Sequence, residues 1–215
     1  MENKILIHLC LLTMFLITSS CSPIKIEEDP LTILAMKTCE PPCWQGITPG
    51  ITTLEEANIL TQQITYVPSG SDILEPDRVF TDGIHGINFR FREPYPDVEI
   101  FANEQGVIDR IVFLFDRKNL PKLGDCTEIF GEPQFIGMSV TFFEARRSFI
   151  IFAYSQITLQ FSRGMAFRLD PVKISYSSNV HIESVTYHSE QIKPTDFEYY
   201  FPWKEKAILQ FEKNY

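Results

Sequence analysis

Three things are scarce in this 215-residue chain: positive charge, paired cysteines, and apolar runs long enough to cross a bilayer. Nineteen Lys and Arg face 28 Asp and Glu, for a net charge of −9, and no basic cluster is larger than Arg146-Arg147. Binding to phosphates needs a basic face, so no nucleic-acid partner is expected. The uncharged apolar run Ile5 to Ile17 is shorter than the ~20 residues that span a membrane, and no later segment could span one. There is no glycine-rich phosphate loop, no His-Glu-x-x-His and no calcium loop. Zinc requires four ligands at fixed spacings, and the chain offers one close pair, Cys39 and Cys43, with no histidine beside it. A thioredoxin-like pair is spaced by two residues and follows a strand; this pair is spaced by three and precedes the fold. No metal and no cofactor is expected.

What is present is aromatic and globular. An apolar fraction of 44% excludes disorder throughout, and 18 phenylalanines and eight tyrosines in period-two runs favour a β-rich chain. The amino terminus has the anatomy of a secretory signal over residues 1–20: Lys4, the apolar run, then Thr18-Ser19-Ser20. The segment "LITSSCS" resembles the lipobox of bacterial lipoproteins, although Thr18 stands where a leucine is commonest. The resemblance implies that Cys21 becomes the first mature residue, carries lipid on its sulfur, and anchors the protein to the outer face of a membrane. Residues 21–38 then read as a short tether whose apolar patch, Leu31 to Met36, docks on the folded body.

With Cys10 removed in the signal and Cys21 acylated, Cys39, Cys43 and Cys126 remain in an oxidising compartment. A local Cys39–Cys43 disulfide across Glu40-Pro41-Pro42 fits the reach of a turn and would fix the angle at which the chain joins the domain. Cys126 then reads as a buried thiol, with Cys39–Cys126 as the competing pairing. Trp44 should plug the edge of the core.

The body divides into a first α+β unit, residues 39–118, a second, 119–190, and an aromatic carboxyl-terminal segment, 191–215. Thr52 and Glu55 form a capping box, and Leu54, Ala57, Leu60 and Ile64 recur at helical spacing, so a helix is expected over 53–64. A loop with one short strand at Val79-Phe80 follows. "GINFRFRE" alternates strictly, and residues 98–115 form a hairpin about Asn103-Glu104-Gln105-Gly106. Residues 119–130 form a second helix stopped by Gly131 and Pro133. Strands are expected at 139–144, 148–154, 157–162, 166–176 and 180–187. The fold class is α+β, two helix-plus-antiparallel-meander units with each helix packed on sheet. Sequence identity between the units is poor. "GITPGITTLEEANIL", "VEIFANEQGVIDRIVFLF" and "LGDCTEIFGEPQFIG" together resemble the BamE and SmpA group of envelope-assembly lipoproteins and the β-lactamase-inhibitor-like modules; the opening is also similar to uncharacterised lipoproteins with a PCWxGIxPG motif. The Gly-x-Pro of those modules follows the second helix only. The resemblance implies a fold and no activity.

Chemistry-bearing residues are sparse. His85, expected in a loop, is the most exposed candidate base, without a serine or cysteine nucleophile in a glycine turn. His181 and His188 fall on opposite faces of the last strand and read as surface residues; Asp97, Glu99 and Asp109 lie along the first hairpin without a cleft. In "FEYYFPWKEKAILQFEKNY", "WKEKAILQF" is expected to close the core as a terminal helix, with Tyr199, Tyr200 and Trp203 as a candidate partner-binding surface. The expected function is a non-enzymatic, lipid-anchored envelope protein that binds a protein or small ligand; the alternatives are an extracytoplasmic hydrolase using His85 and a structural spacer.

Overall fold

Alternating apolar residues dictate most of the architecture, because successive side chains in a strand point to opposite faces. The computed structural model describes residues 30–34, 39–63, 78–79, 85–89, 95–141, 147–164, 172–176, 178–197, 199–203 and 207–211. Residues 1–29, with the expected signal, Cys21 and most of the expected tether, lie outside them. Among the described residues no helix is long and apolar enough to cross a membrane.

The elements are β1 (Arg78–Val79), β2 (His85–Phe89), β3 (Asp97–Ala102), β4 (Ile108–Leu114), β5 (Phe135–Thr141), β6 (Arg147–Ala153), β7 (Ile157–Gly164), β8 (Val172–Tyr176), β9 (Ser184–His188), β10 (Tyr199–Pro202) and β11 (Ala207–Phe211), with helices α1 (Leu54–Gln62) and α2 (Leu123–Phe130). Nine strands form one antiparallel sheet in the order β1-β2-β3-β4-β9-β7-β6-β5-β10, and β8 pairs with β11 separately. The fold is α+β.

Register explains why one face of this sheet is the core. Val98, Phe113, Val185, Leu159, Phe152, Ile136 and Phe201 stand opposite one another in turn across seven strands. All but the half-buried Phe201 are fully enclosed. A second row runs Ile87, Ile100, Ile111, Tyr187, Ile157. Each such side chain contributes roughly 1.5–3 kcal/mol by leaving water, so a one-residue slip in any strand would turn its whole set outward. Ala57 of α1 and Leu123 and Cys126 of α2 belong to the same buried cluster.

The two helices begin alike. Leu54 N donates to Gly106 O at 2.8 Å, Ile108 N donates to Thr52 O at 2.8 Å, and Thr53 bridges Val107. At α2, Leu123 N donates to Val180 O at 2.7 Å, Ile182 N donates to Pro121 O at 2.8 Å, and Lys122 bridges His181. Backbone that would otherwise be left unpaired at a helix start is therefore tied to the sheet.

Several expectations are corrected. The first capping box is Thr53 with Glu56, not Thr52 with Glu55; the Thr52 hydroxyl instead accepts from Thr48 N at 2.8 Å. Helix α2 starts at Leu123 rather than 119, because Pro121 and Lys122 are held extended by residues 180–182. Strand β5 starts at Phe135 rather than 139, and the strand expected at 180–187 starts at Ser184. The terminal helix is absent: Ala207–Phe211 is a strand paired with β8. Pairing with a distant partner overrides the helix-forming tendency of that short stretch. The expected docking of the tether's apolar patch is seen at its first residues: Pro30–Ile33 forms a 3-10 turn, and Leu31, Ile33 and Leu34 are buried in the core. Ile64 and the 166–171 part of the expected strand lie outside the described residues.

Candidate functional site

The Cys39–Cys43 disulfide closes a short loop, with α-carbons 5.6 Å apart, while Cys126 is buried and takes no part in a disulfide. Immediately afterwards Trp44 and Ile47 exchange reciprocal backbone hydrogen bonds of 2.9 and 2.8 Å. The two residues between, Gln45 and Gly46, both have positive φ, which is the two-residue turn that glycine favours. This turn drives Trp44 into the core, edge-on to Phe113 at 5.8 Å; Phe113 in turn meets Tyr187 at 5.1 Å and Phe130 meets Tyr187 at 6.2 Å. Trp44 is almost fully buried and belongs to the core cluster. Gly50 N then donates to Ile108 O at 2.7 Å, joining the opening segment to β4.

That segment forms one wall of a groove of about 330 Å3, lined by Pro41 and Pro42 of the disulfide loop, Phe130 and Glu132 at the end of α2, and Tyr154 to Ile157 at the β6–β7 turn. Its lining mixes apolar side chains, among them Pro41, Pro42, Phe130 and Ile157, with the polar Glu132, Gln134, Ser155 and Gln156 in nearly equal measure. A wider depression of about 550 Å3 lies between the start of α1 and the β3–β4 turn, lined by Thr53, Leu54, Glu55, Asn58, Ile87, Gln105 and Gly106. Neither groove was legible in the sequence, since each gathers short segments from distant positions.

Beneath the first groove, the Tyr154 and Tyr187 hydroxyls are buried without a hydrogen-bond partner. Burial pushes both phenols well above their ordinary range, and the nearby Cys126 adds to the effect. They stay protonated and are unsuited to act as bases.

The expected chemistry-bearing residues are not assembled into a reactive constellation. His85 is an exposed residue at the start of β2, opposite Ala102, rather than in a loop. His188 is not a plain surface residue: it is half-buried, and its Nε2 meets Thr158 Oγ1 at 2.9 Å. Burial holds its pKa below the ordinary value, against the attraction of Asp109 and Asp196. Ser189 follows it, but the Ser189 hydroxyl donates to Asp109 Oδ1 at 2.8 Å. A relay needs the serine proton directed at the imidazole; here the two bonds run to different partners and lock β9 to β4 and β7. Glu99 lies half-buried on the sheet face away from the core, and burial, then neighbouring Asp97, raises its pKa. Beside it Arg110 stacks on Phe101, 4.5 Å from the ring centre. Among the described residues no group of three or more His, Cys, Asp and Glu could hold a metal.

Of the three aromatics singled out near the carboxyl terminus, Tyr200 is 55% exposed. Trp203 is half-buried, edge-on to Phe152 at 5.8 Å, so it belongs to the core margin. Tyr199 lies in β10 opposite Met138. Cys21 is outside the described residues.

No protein-family model and no curated protein matches the chain. A solved structure, the DUF4309 family protein YjgB from Bacillus subtilis, is similar at 11% identity and a TM-score of 0.39, over 67% of this chain and 83% of its own. A likeness that slight carries no inference about this protein.

Proposed function

We propose that the protein is a non-enzymatic, lipid-anchored cell-envelope protein, attached to the outer face of a membrane through Cys21, that binds a protein or small ligand outside the cytoplasm. The observation that carries the reading is the Cys39–Cys43 disulfide downstream of a lipobox-like "LITSSCS", since such bonds persist in oxidising compartments. Because Leu31 is already in the core, residues 22–29 are left to connect lipid to body, a reach of about 30 Å at most. The body is read as two helix-plus-meander units resembling envelope lipoproteins, each helix packed on the sheet; the matching hydrogen bonds at Leu54 and Leu123 support this. The groove beside Pro41, Pro42 and Tyr154 is the favoured ligand site, with Tyr200 on a second surface open to a partner.

The test is the mass of the protein extracted from membranes of the organism that makes it. A mature chain beginning at a lipid-modified Cys21, lost to the soluble fraction in Cys21→Ser, is expected. A soluble chain retaining residues 1–20 would defeat the proposal. Cross-linking of the anchored form, with and without a groove-filling Gln156→Trp substitution, then tests binding; capture of the same partner at the same yield by both forms rules the groove out.

A further inference from the structure

The shared hydrogen bonds at the helix starts set up an equivalence that extends across the sheet. If Leu54 corresponds to Leu123 and Ile108 to Ile182, then β4 and β9 correspond, and these two strands are direct neighbours. Their register is reciprocal. Val112 stands opposite Thr186, each the fourth residue after its isoleucine; Ile111 stands opposite Tyr187 and Phe113 opposite Val185. The residue before the central position on one strand always meets the residue after it on the other. Any two antiparallel strands are reciprocal in this way; what is particular here is that Val112 faces Thr186, its own counterpart, so the local axis between the strands falls where a two-fold relation between the modules requires it.

The relation continues outward. Ile100 pairs with Ile111 as Leu159 pairs with Val185, and Ile87 pairs with Ile100 as Phe152 pairs with Leu159. The sheet order β1-β2-β3-β4 and then β9-β7-β6-β5 follows the same scheme from either end, with β10 added at one edge. On the helices, Ala57 and Cys126 occupy the same position and are both fully buried. Glu56 and Asp125 each accept the amide of the residue before the helix, at 2.9 and 3.1 Å. Once aligned, "IDRIVFL" at 108–114 and "IESVTYH" at 182–188 match in character at four of their seven positions, and a fifth, Val112 and Thr186, is β-branched in both.

The geometry points to a fused dimer: two copies of one α+β module joined through a self-complementary strand, with a local two-fold axis at the Val112–Thr186 pair. The partner surface of each module is β4 or β9, and the partner it fits is a second copy of the same module, supplied in the same chain. The inference rests on the two-unit reading above. It assigns Cys126 the place of a small helix residue against the sheet, equivalent to Ala57, and marks β8, β10 and β11 as additions to the second module.

Exchange of the two strands tests it in the full chain. Placing residues 182–188 at 108–114 and the reverse keeps an aromatic opposite a β-branched residue on both sides of the axis. A smaller variant, Ile111→Val with Val185→Ile, Phe113→Tyr and Tyr187→Phe, exchanges only the core pairs and spares the contacts of Asp109, Arg110 and His188. It should give one cooperative transition within roughly 10 °C of the parent Tm, since volume-conserving core swaps are well tolerated. As the control, exchanging 108–114 with 147–153, strands of similar alternation that the axis does not relate, should abolish folding. Failure of the core-pair variant to fold overturns the inference; so does equal tolerance of the control, which would reduce the result to patterning. Amide exchange on the unaltered chain separates this from failure of the two-unit reading, which requires Leu54, Ile108, Leu123 and Ile182 all to be protected.

Discussion

At the start of α1 the Thr53 hydroxyl accepts from Glu56 N at 3.2 Å while Glu56 accepts from Thr53 N, so the side chains close the box in both directions. At the start of α2, Lys122 has no acceptor to offer, and only Asp125 reaches back. The next residue differs as well. Gly124 N donates to Ser178 O at 2.8 Å, and a Cβ there would stand 3.3 Å from Ser178. Its counterpart Glu55 is exposed and lines the wider groove. The two helix starts therefore share two backbone bonds each and a carboxylate that accepts the amide before the helix, and they differ in the hydroxyl cap and in the residue after the first. The backbone bonds define the architecture, and side-chain capping is an adjustable supplement to it.

The largest expected effect tests what is shared. Ile108→Ala and Ile182→Ala remove fully buried side chains from the residues whose amides bond to the two helix starts, and each should cost about 2–5 kcal/mol. Urea unfolding should show losses of similar size; a several-fold disparity would break the equivalence.

Reduction of Cys39–Cys43 comes next. By the chain-entropy estimate so short a loop contributes about 2 kcal/mol, so mild reduction should lower the midpoint and loosen the Trp44 turn, read by tryptophan fluorescence, without global unfolding. Collapse of the whole fold would show that the bridge holds the first helix start in place.

A smaller effect tests what differs. Thr53→Ala should cost about 1 kcal/mol, whereas Lys122→Ala should change stability by less than about 0.5 kcal/mol. Equal losses would mean that the lysine takes part in capping after all.

The smallest effect concerns pH on the sheet face away from the core. Burial depresses His188, so its contribution is complete above the unfolded value of about 6.5 and declines as pH falls towards the lower folded value. Glu99 has the opposite sign: its raised carboxyl favours the folded state below about 4.3, an advantage lost as pH rises through the folded value. Thermal melts of His188→Gln should lose the decline below about pH 6.5; an unchanged profile would assign it to other groups.

Much of the local structure was legible because its causes are local. Asn103-Glu104-Gln105-Gly106 makes its turn through its own side chain, with Asn103 Oδ1 accepting from Gln105 and Val107. Gly131 ends α2 at positive φ, as a glycine past a helix should. The cysteine pair needed only a turn to close. The capping box was misplaced by one residue because Thr52-Glu55 and Thr53-Glu56 have the same spacing. The bond from Ile108 N to Thr52 O decides between them, and it joins distant parts of the chain. The proposed correspondence between the two halves is hard to read in the sequence for a related reason: loops of unequal length would separate corresponding positions by different intervals, as Leu54 from Leu123, Val98 from Ile157 and Ile108 from Ile182 illustrate.

By itself the sequence determined alternation, turns and the stop of the second helix, each of which depends on residues within one turn or strand of each other; between the two cysteine pairings it left open, the structure decides for Cys39–Cys43. Tertiary structure alone decided that β9 lies between β4 and β7, that Ala207–Phe211 is a strand, and which segments wall the grooves. Those outcomes depend on hydrogen bonds and buried contacts between segments far apart in the chain, and no local pattern specifies which distant edge a strand will join.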